Sequence, residues 1–159
     1  MSFDKAKEYL TERGFDGRIM TFDVSSATVE LAAEAVGTEP ARIAKSLTFR
    51  VAGNPVMIVC AGDAKVNNSK FKAFFHEKAA MLPREEVGAL IGHEAGGVCP
   101  FGVKEGVRVC LDVSMKRFDV IYPACGDAAS AVRLTPEELE GLCPGSEWID
   151  VCVLPEAQA

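Results

Sequence analysis

A chain of 159 residues, 48% hydrophobic and 25% charged, is long enough for one ordinary globular core and too apolar to stay disordered. Its formal net charge of -6 excludes an extended basic surface that tracks a nucleic-acid backbone, while leaving room for a small local site that takes the end of an RNA. No apolar run reaches the roughly 18 residues of a membrane span. The charged residues among the first eight stand where a secretory signal needs its apolar segment, so a cytoplasmic protein with no membrane partner is expected.

Residues 2–13 read as an opening helix, with Phe3, Ala6, Tyr9 and Leu10 at helical spacing and Gly14 beyond the end. Ile19 to Val24 is a short strand. Ser26 or Thr28 caps a second helix with Val29, Ala32, Ala33 and Val36 on its apolar face and Gly37 as its stop. From Ala44 to Val51 the residues alternate, with Lys45, Leu47, Phe49 and Val51 sharing one face. A lysine among hydrophobes either snorkels from the strand end or sits at a pocket mouth, where a low dielectric strengthens its pull on an anion. Gly53-Asn54 is the expected hairpin turn into residues 55–61, apolar on both faces and so a central strand.

Asn67 or Asn68 starts a helix whose Phe71, Phe74 and Phe75 have the spacing of a core stripe rather than a base-stacking platform. Pro83 opens another, with Val87, Leu90 and Ile91 as its buried side and Gly92 as its stop. Val107 to Val113 alternates as a strand, and Phe118 to Tyr122 reads as a further strand broken by Pro123. Ala131 to Leu134 is short and extended. Thr135-Pro136-Glu137-Glu138 is a capping box, and Trp148 to Val153 closes the chain as an edge strand. Repeats, low-complexity tracts and linkers are absent, so residues 1–159 are expected to form a single domain.

The least regular stretch is Gly92 to Gly102, with four glycines in eleven positions and a stiffening Pro100. Its composition suits either a plain connection or a loop whose amides approach a ligand. The G-x-x-x-x-G spacing of Gly97 to Gly102 lacks the phosphate-loop lysine, since Val103 stands there, and the stretch fails G-x-G-x-x-G as well. Cys99 and His93 raise a thiol hydrolase as one alternative, which requires a lowered thiol pKa and a base within reach. Convergent backbone amides that hold a carbonyl oxygen, with Lys45 anchoring a phosphate, are another. The six cysteines, Cys60, Cys99, Cys110, Cys125, Cys143 and Cys152, include no C-x-x-C pair, and with only His76 and His93 far apart no metal or other cofactor is expected.

Ile43-Ala44-Lys45-Ser46-Leu47, Gly92 with Gly96-Gly97-Val98-Cys99-Pro100-Phe101-Gly102, the strand carrying Asp112, and Gly126 ahead of Leu134-Thr135-Pro136-Glu137-Glu138-Leu139 together resemble the YbaK/EbsC family, which is related to the editing insertion of bacterial prolyl-tRNA synthetases. That resemblance implies an α/β fold, with a mixed, barrel-like sheet surrounded by helices. It implies a trans-acting deacylase that hydrolyses the 3′ ester of mischarged tRNA, with tRNA(Pro) the expected acceptor, its CCA end the partner and a prolyl-tRNA synthetase a second candidate partner. By the family pattern Lys45 contacts the terminal adenosine or its phosphate, and the amides of Gly96, Gly97 and Val98, in a loop ending at Pro100, position the ester. Cys99, Phe101 and Gly126 border the substrate, and Phe22, Thr28 and Leu47 line the amino-acid pocket. Ala124 and Ala131 stand where the branch acting on cysteinyl-tRNA(Pro) carries serine and aspartate, so cysteine specificity is not implied. A non-catalytic module binding an amino acid, a nucleotide or a partner protein is the competing class.

Overall fold

The strand Asn54–Ala61 is buried from Val56 onward, as its two apolar faces require, and holds the centre of a five-stranded sheet. The structure, a computed structural model, describes residues 2–155. In chain order the strands are β1 (Ile19–Thr21), β2 (Ile43–Val51), β3 (Asn54–Ala61), β4 (Lys65–Val66), β5 (Arg108–Asp112), β6 (Tyr122–Pro123), β7 (Ser130–Val132), β8 (Glu147–Ile149) and β9 (Cys152–Val153). The main sheet runs β6-β2-β3-β5-β8. Its β2–β3 pair is antiparallel and its other three neighbour pairs are parallel. Two antiparallel ribbons, β1 with β7 and β4 with β9, accompany it. This mixed sheet curls into a half-barrel flanked by helices.

The β2–β3 hairpin turns at Ala52-Gly53, one residue earlier than expected: both have positive φ, 51° and 82°, as a two-residue type I′ turn demands, and Asn54 already pairs with Val51. Helices α1 (Ser2–Glu12), α2 (Val29–Val36), α3 (Asn68–Phe75), α4 (Arg84–Ile91) and α5 (Pro136–Leu142) start and stop on local chemistry. Thr28 Oγ1 accepts from the Leu31 amide, Asn67 Oδ1 from the Lys70 amide, and Thr135 and Glu138 form the reciprocal capping box. Phe71 and Phe75 of α3 are core residues, their rings 4.5 Å apart and Phe71 5.1 Å from Phe49. Four helices join one core with the sheet. The fifth, α2, stands apart, its Ala32 and Ala33 packing on Ile43 with Val29 and Tyr122 in a separate small cluster.

Three expected strands differ from the sequence reading: the one expected over Ile19 to Val24 ends at Thr21, where pairing with β7 stops at Ser130, and two more are shortened or divided. Phe118 to Val120 is not strand: the Phe118 amide closes a 3-10 turn on the Met115 carbonyl, and Arg42 binds Asp119 and the Val120 carbonyl, which leaves only Tyr122–Pro123 to pair with β2. Residues 148–153 divide into β8 and β9 because the Val151 amide donates to buried Asp112 Oδ2 while its carbonyl accepts from Asn67. Asp112 also accepts from the Ser114 amide, so one carboxylate both caps the 3-10 turn that follows β5 and holds the bend at Val151.

The outer edge of β2 is paired only in part. At its start Ile43 and Ala44 pair with Tyr122 and Pro123; near its end the Leu82 amide donates to the Thr48 carbonyl and the Arg50 amide to the Ala80 carbonyl. Between these two partners residues 45–47 have no strand neighbour on that edge among the described residues.

Candidate active site

A cavity of about 410 Å³ opens beside this gap. Its walls come from the start of α2 (Thr28, Val29), from β2 (Lys45, Ser46, Leu47), from Met81, Leu82 and Arg84 at the start of α4, from the glycine loop (Ala95, Gly96, Val98) and from the β6–β7 region (Tyr122, Ala124, Ser130, Ala131). Elements distant in sequence meet here because β2 takes different partners at its two ends.

Lys45 is half-buried and donates from Nζ to the Gly62 carbonyl at 3.3 Å. That carbonyl is held by close packing: a Cβ on Gly62 would overlap the Pro40 carbonyl oxygen and come within 2.8 Å of Val29 Cγ1. Among the described residues the only charged side chains on the cavity wall are Lys45 and Arg84, and no carboxylate lines it. Among the same residues Arg84 has no ion pair or side-chain hydrogen bond, whereas neighbouring Arg50 is bound to Glu86 at 2.6 Å. Beside Arg84 at the mouth, Met81 is 60% exposed.

The glycine loop presents Gly96 and Val98 to the cavity and buries Gly97, Cys99, Pro100 and Phe101 behind them. Gly97 lies against the following turn so closely that an added Cβ would sit 2.5 Å from Asp127 Cα and 2.6 Å from its nitrogen. Gly126, with φ of 86°, faces the backbone of Ser2 at the start of α1 and not the cavity. Phe22 is also off the wall, its amide donating to the Ala129 carbonyl beside β7. Thr28 and Leu47 are on the wall, with the Thr28 hydroxyl engaged as the α2 cap. Ala124 and Ala131 are both on the wall as well. Sequence reading singled out neither Arg84 nor Met81; an arginine in a first helical turn carries no local signal of which cavity it borders.

Cys99 and His93 do meet, with Sγ 3.6 Å from Nε2, but not as nucleophile and base. His93 Nε2 lies 2.5 Å from the Phe101 carbonyl oxygen, so it bears the proton and donates, and cannot accept one from the thiol. Both side chains are fully buried, and burial pushes the Cys99 pKa up, away from thiolate. Cys99 is therefore not placed to act as a nucleophile, and an alkylating agent is expected to leave the Cys99 thiol of the native protein unmodified, measured by mass spectrometry. Burial also pushes the His93 pKa below its usual value, with Nδ1 left buried and unpartnered. The folded state thus resists a proton that the unfolded chain takes up as pH falls through about 6.5. Stability should fall below that pH, and His93→Gln, which keeps a donor but does not titrate, should flatten the drop in urea unfolding between about pH 7 and 5.

None of the helices among the described residues is long and apolar enough to cross a membrane. Over 153 residues the chain is 48% identical to YwhH, an uncharacterized protein of Bacillus subtilis (strain 168), covering 96% of this chain and 98% of that one. It is 34% identical over 91 residues to the proline--tRNA ligase of Limosilactobacillus fermentum, a match over 54% of this chain and only 16% of the ligase. A crystal structure reported as a "putative trans-editing enzyme for prolyl tRNA synthetase" superposes with a TM-score of 0.85 at 28% identity, covering 94% of this chain and 96% of that one. Residues 24–142, which carry the cavity and its loop, match the sequence model of the aminoacyl-tRNA editing domain, and the chain belongs to that family.

Proposed function

We propose that the protein is a cytoplasmic, trans-acting deacylase that hydrolyses the 3′ ester of mischarged tRNA, with tRNA(Pro) as the acceptor. The observation that carries this reading is electrostatic: on a chain of net charge -6, the principal cavity is lined by two cations and no carboxylate among the described residues. Such a concave site focuses a positive potential and draws in a phosphate-bearing end while the acidic remainder repels a long duplex. Lys45 anchors a phosphate of the terminal adenosine, and Arg84 with Met81 receives the nucleotide at the mouth. The amides of Gly96 and Val98 steady the ester carbonyl as water attacks, in a loop stiffened by Pro100; Gly97, expected from the sequence as a third donor, gives its N–H to the Glu94 carbonyl and instead holds the loop against the 126–127 turn. Leu47 and Thr28 border the amino-acid side chain, and Phe22, Cys99, Phe101 and Gly126 support the wall from behind.

Editing of this kind is needed because a synthetase pocket separates substrates that differ by one methylene by only about 1–3 kcal/mol. The wall offers alanines, not polar groups, at Ala124 and Ala131, which favours an apolar amino acid over cysteine. The test is a panel of tRNAs each charged with a different small amino acid. Release above the uncatalysed rate for one or a few of them is expected, and none would overturn the reading. Among the described residues the wall holds no histidine or carboxylate to act as a general base, which favours a second reading, a binding module of the same fold. That module would bind an aminoacyl ester and release nothing.

A further inference from the structure

The gap in the outer edge of β2 is one hydrogen-bonding residue long. The Arg50 amide and the Thr48 carbonyl point away from β3, toward residues 80–82. The two-residue alternation of an antiparallel strand turns the N–H and C=O of Ser46 to the same side. Pairing with β6 ends at Ala44↔Pro123, before Ser46 is reached. Ser46 therefore offers one backbone donor and one backbone acceptor to the cavity. The slot is bounded along the strand by Ala124 at one end and Leu82 at the other, both on the cavity wall.

Two further observations belong to the same place. Ser46 Oγ and Ser26 Oγ are both buried without a hydrogen-bond partner, and both residues line this cavity. A buried polar atom left without a partner costs free energy that a ligand's polar group recovers. The wall also has no carboxylate among the described residues, so an amine entering the cavity has only neutral oxygen acceptors to bind.

We propose that the Ser46 edge of β2 docks the amino-acid part of the ester as a one-residue strand, so that the protein reads a free α-amino group and excludes N-blocked and peptidyl esters. The amine donates to the Ser46 carbonyl, and the ester carbonyl accepts the Ser46 N–H. An α-amino acyl group carries its amine and carbonyl at the spacing of one strand residue, and an antiparallel residue pair exchanges this same pair of bonds. The Ser46 and Ser26 hydroxyls accept the remaining amine hydrogens. The slot ends at Ala124 and Leu82, so an acyl group or a second residue on the amine has no edge to continue along. The inference rests on the deacylase reading for the identity of its ligand, and not on catalysis.

The test is binding of a non-hydrolysable mimic, adenosine bearing alanine through a 3′-amide, compared by calorimetry with its N-acetyl and des-amino (propionyl) counterparts. The parent is expected to bind about 10- to 100-fold more tightly than either counterpart, the range of a lost hydrogen bond to a charged group. Ser46→Ala and Ser26→Ala should each weaken the parent and narrow that ratio, with thermal unfolding close to wild type. Equal binding of all three ligands, or a ratio unchanged in both serine variants, overturns the slot. A preserved ratio in a protein that deacylates no mischarged tRNA overturns the deacylase reading and leaves the slot standing.

Discussion

Lys45→Ala is expected to lower kcat/KM for deacylation of the preferred mischarged tRNA by about 10² to 10³, the scale seen when a preorganised electrostatic contact is removed from a site of this kind. The loss should be local. Among the described residues the Lys45 side chain makes one hydrogen bond, to the Gly62 carbonyl, and lies on a strand whose backbone ladder to β3 does not use it, so the unfolding midpoint should move little. Lys45→Arg should not restore full activity, because a planar guanidinium cannot reproduce the compact ammonium held against Gly62. Activity in Lys45→Ala within about threefold of wild type would remove Lys45 from the mechanism.

Gly97→Ala is the second large effect, and it arises behind the cavity. The new Cβ would meet backbone atoms of Asp127 at 2.5 and 2.6 Å and the Gly126 carbonyl oxygen at 2.6 Å, none of which can swing aside as a side-chain end would. Overpacking of this kind costs about 1–3 kcal/mol, which for a chain of this size lowers Tm by roughly 2–4 °C per kcal/mol. Relief requires the loop to back away from the 126–127 turn, carrying Gly96 and Val98 with it, and a displacement of about 1 Å at a reacting centre can cost about 10²-fold in rate. Gly96→Ala is the matched control. No atom lies within 4 Å of its added Cβ, so it bears only the backbone penalty of φ near 97°, about 1–2 kcal/mol. If Gly97→Ala kept wild-type kcat, the rigid amide loop would not be what positions the ester.

Where an element is decided by its own residues, sequence reading found it. Thr28, Asn67 and Thr135 cap the helices they precede because a hydroxyl or amide oxygen reaches a nearby orphan amide, and Gly37 and Gly92 end theirs in the left-handed conformation. The lysine on an apolar strand face and the glycine loop were both visible, and the structure brings Lys45, Gly96 and Val98 to one cavity. The short and divided strands were not visible. Phe118 to Tyr122 alternates like a strand, yet β2 offers it only two pairing positions. Residues 148–153 alternate too, yet Asp112 bends them between two sheets.

The amino-acid sequence by itself determined the caps, the buried central strand, the phenylalanine stripe and the residue types able to handle an acyl ester, because each depends on neighbours within a few positions along the chain. Only the tertiary structure decided that β2 is left unpaired at Ser46, that Arg84 stands at the cavity mouth and that Gly126 supports the loop from behind. Those outcomes depend on which distant segments claim each edge and each packing surface, and no local pattern of residues carries that information.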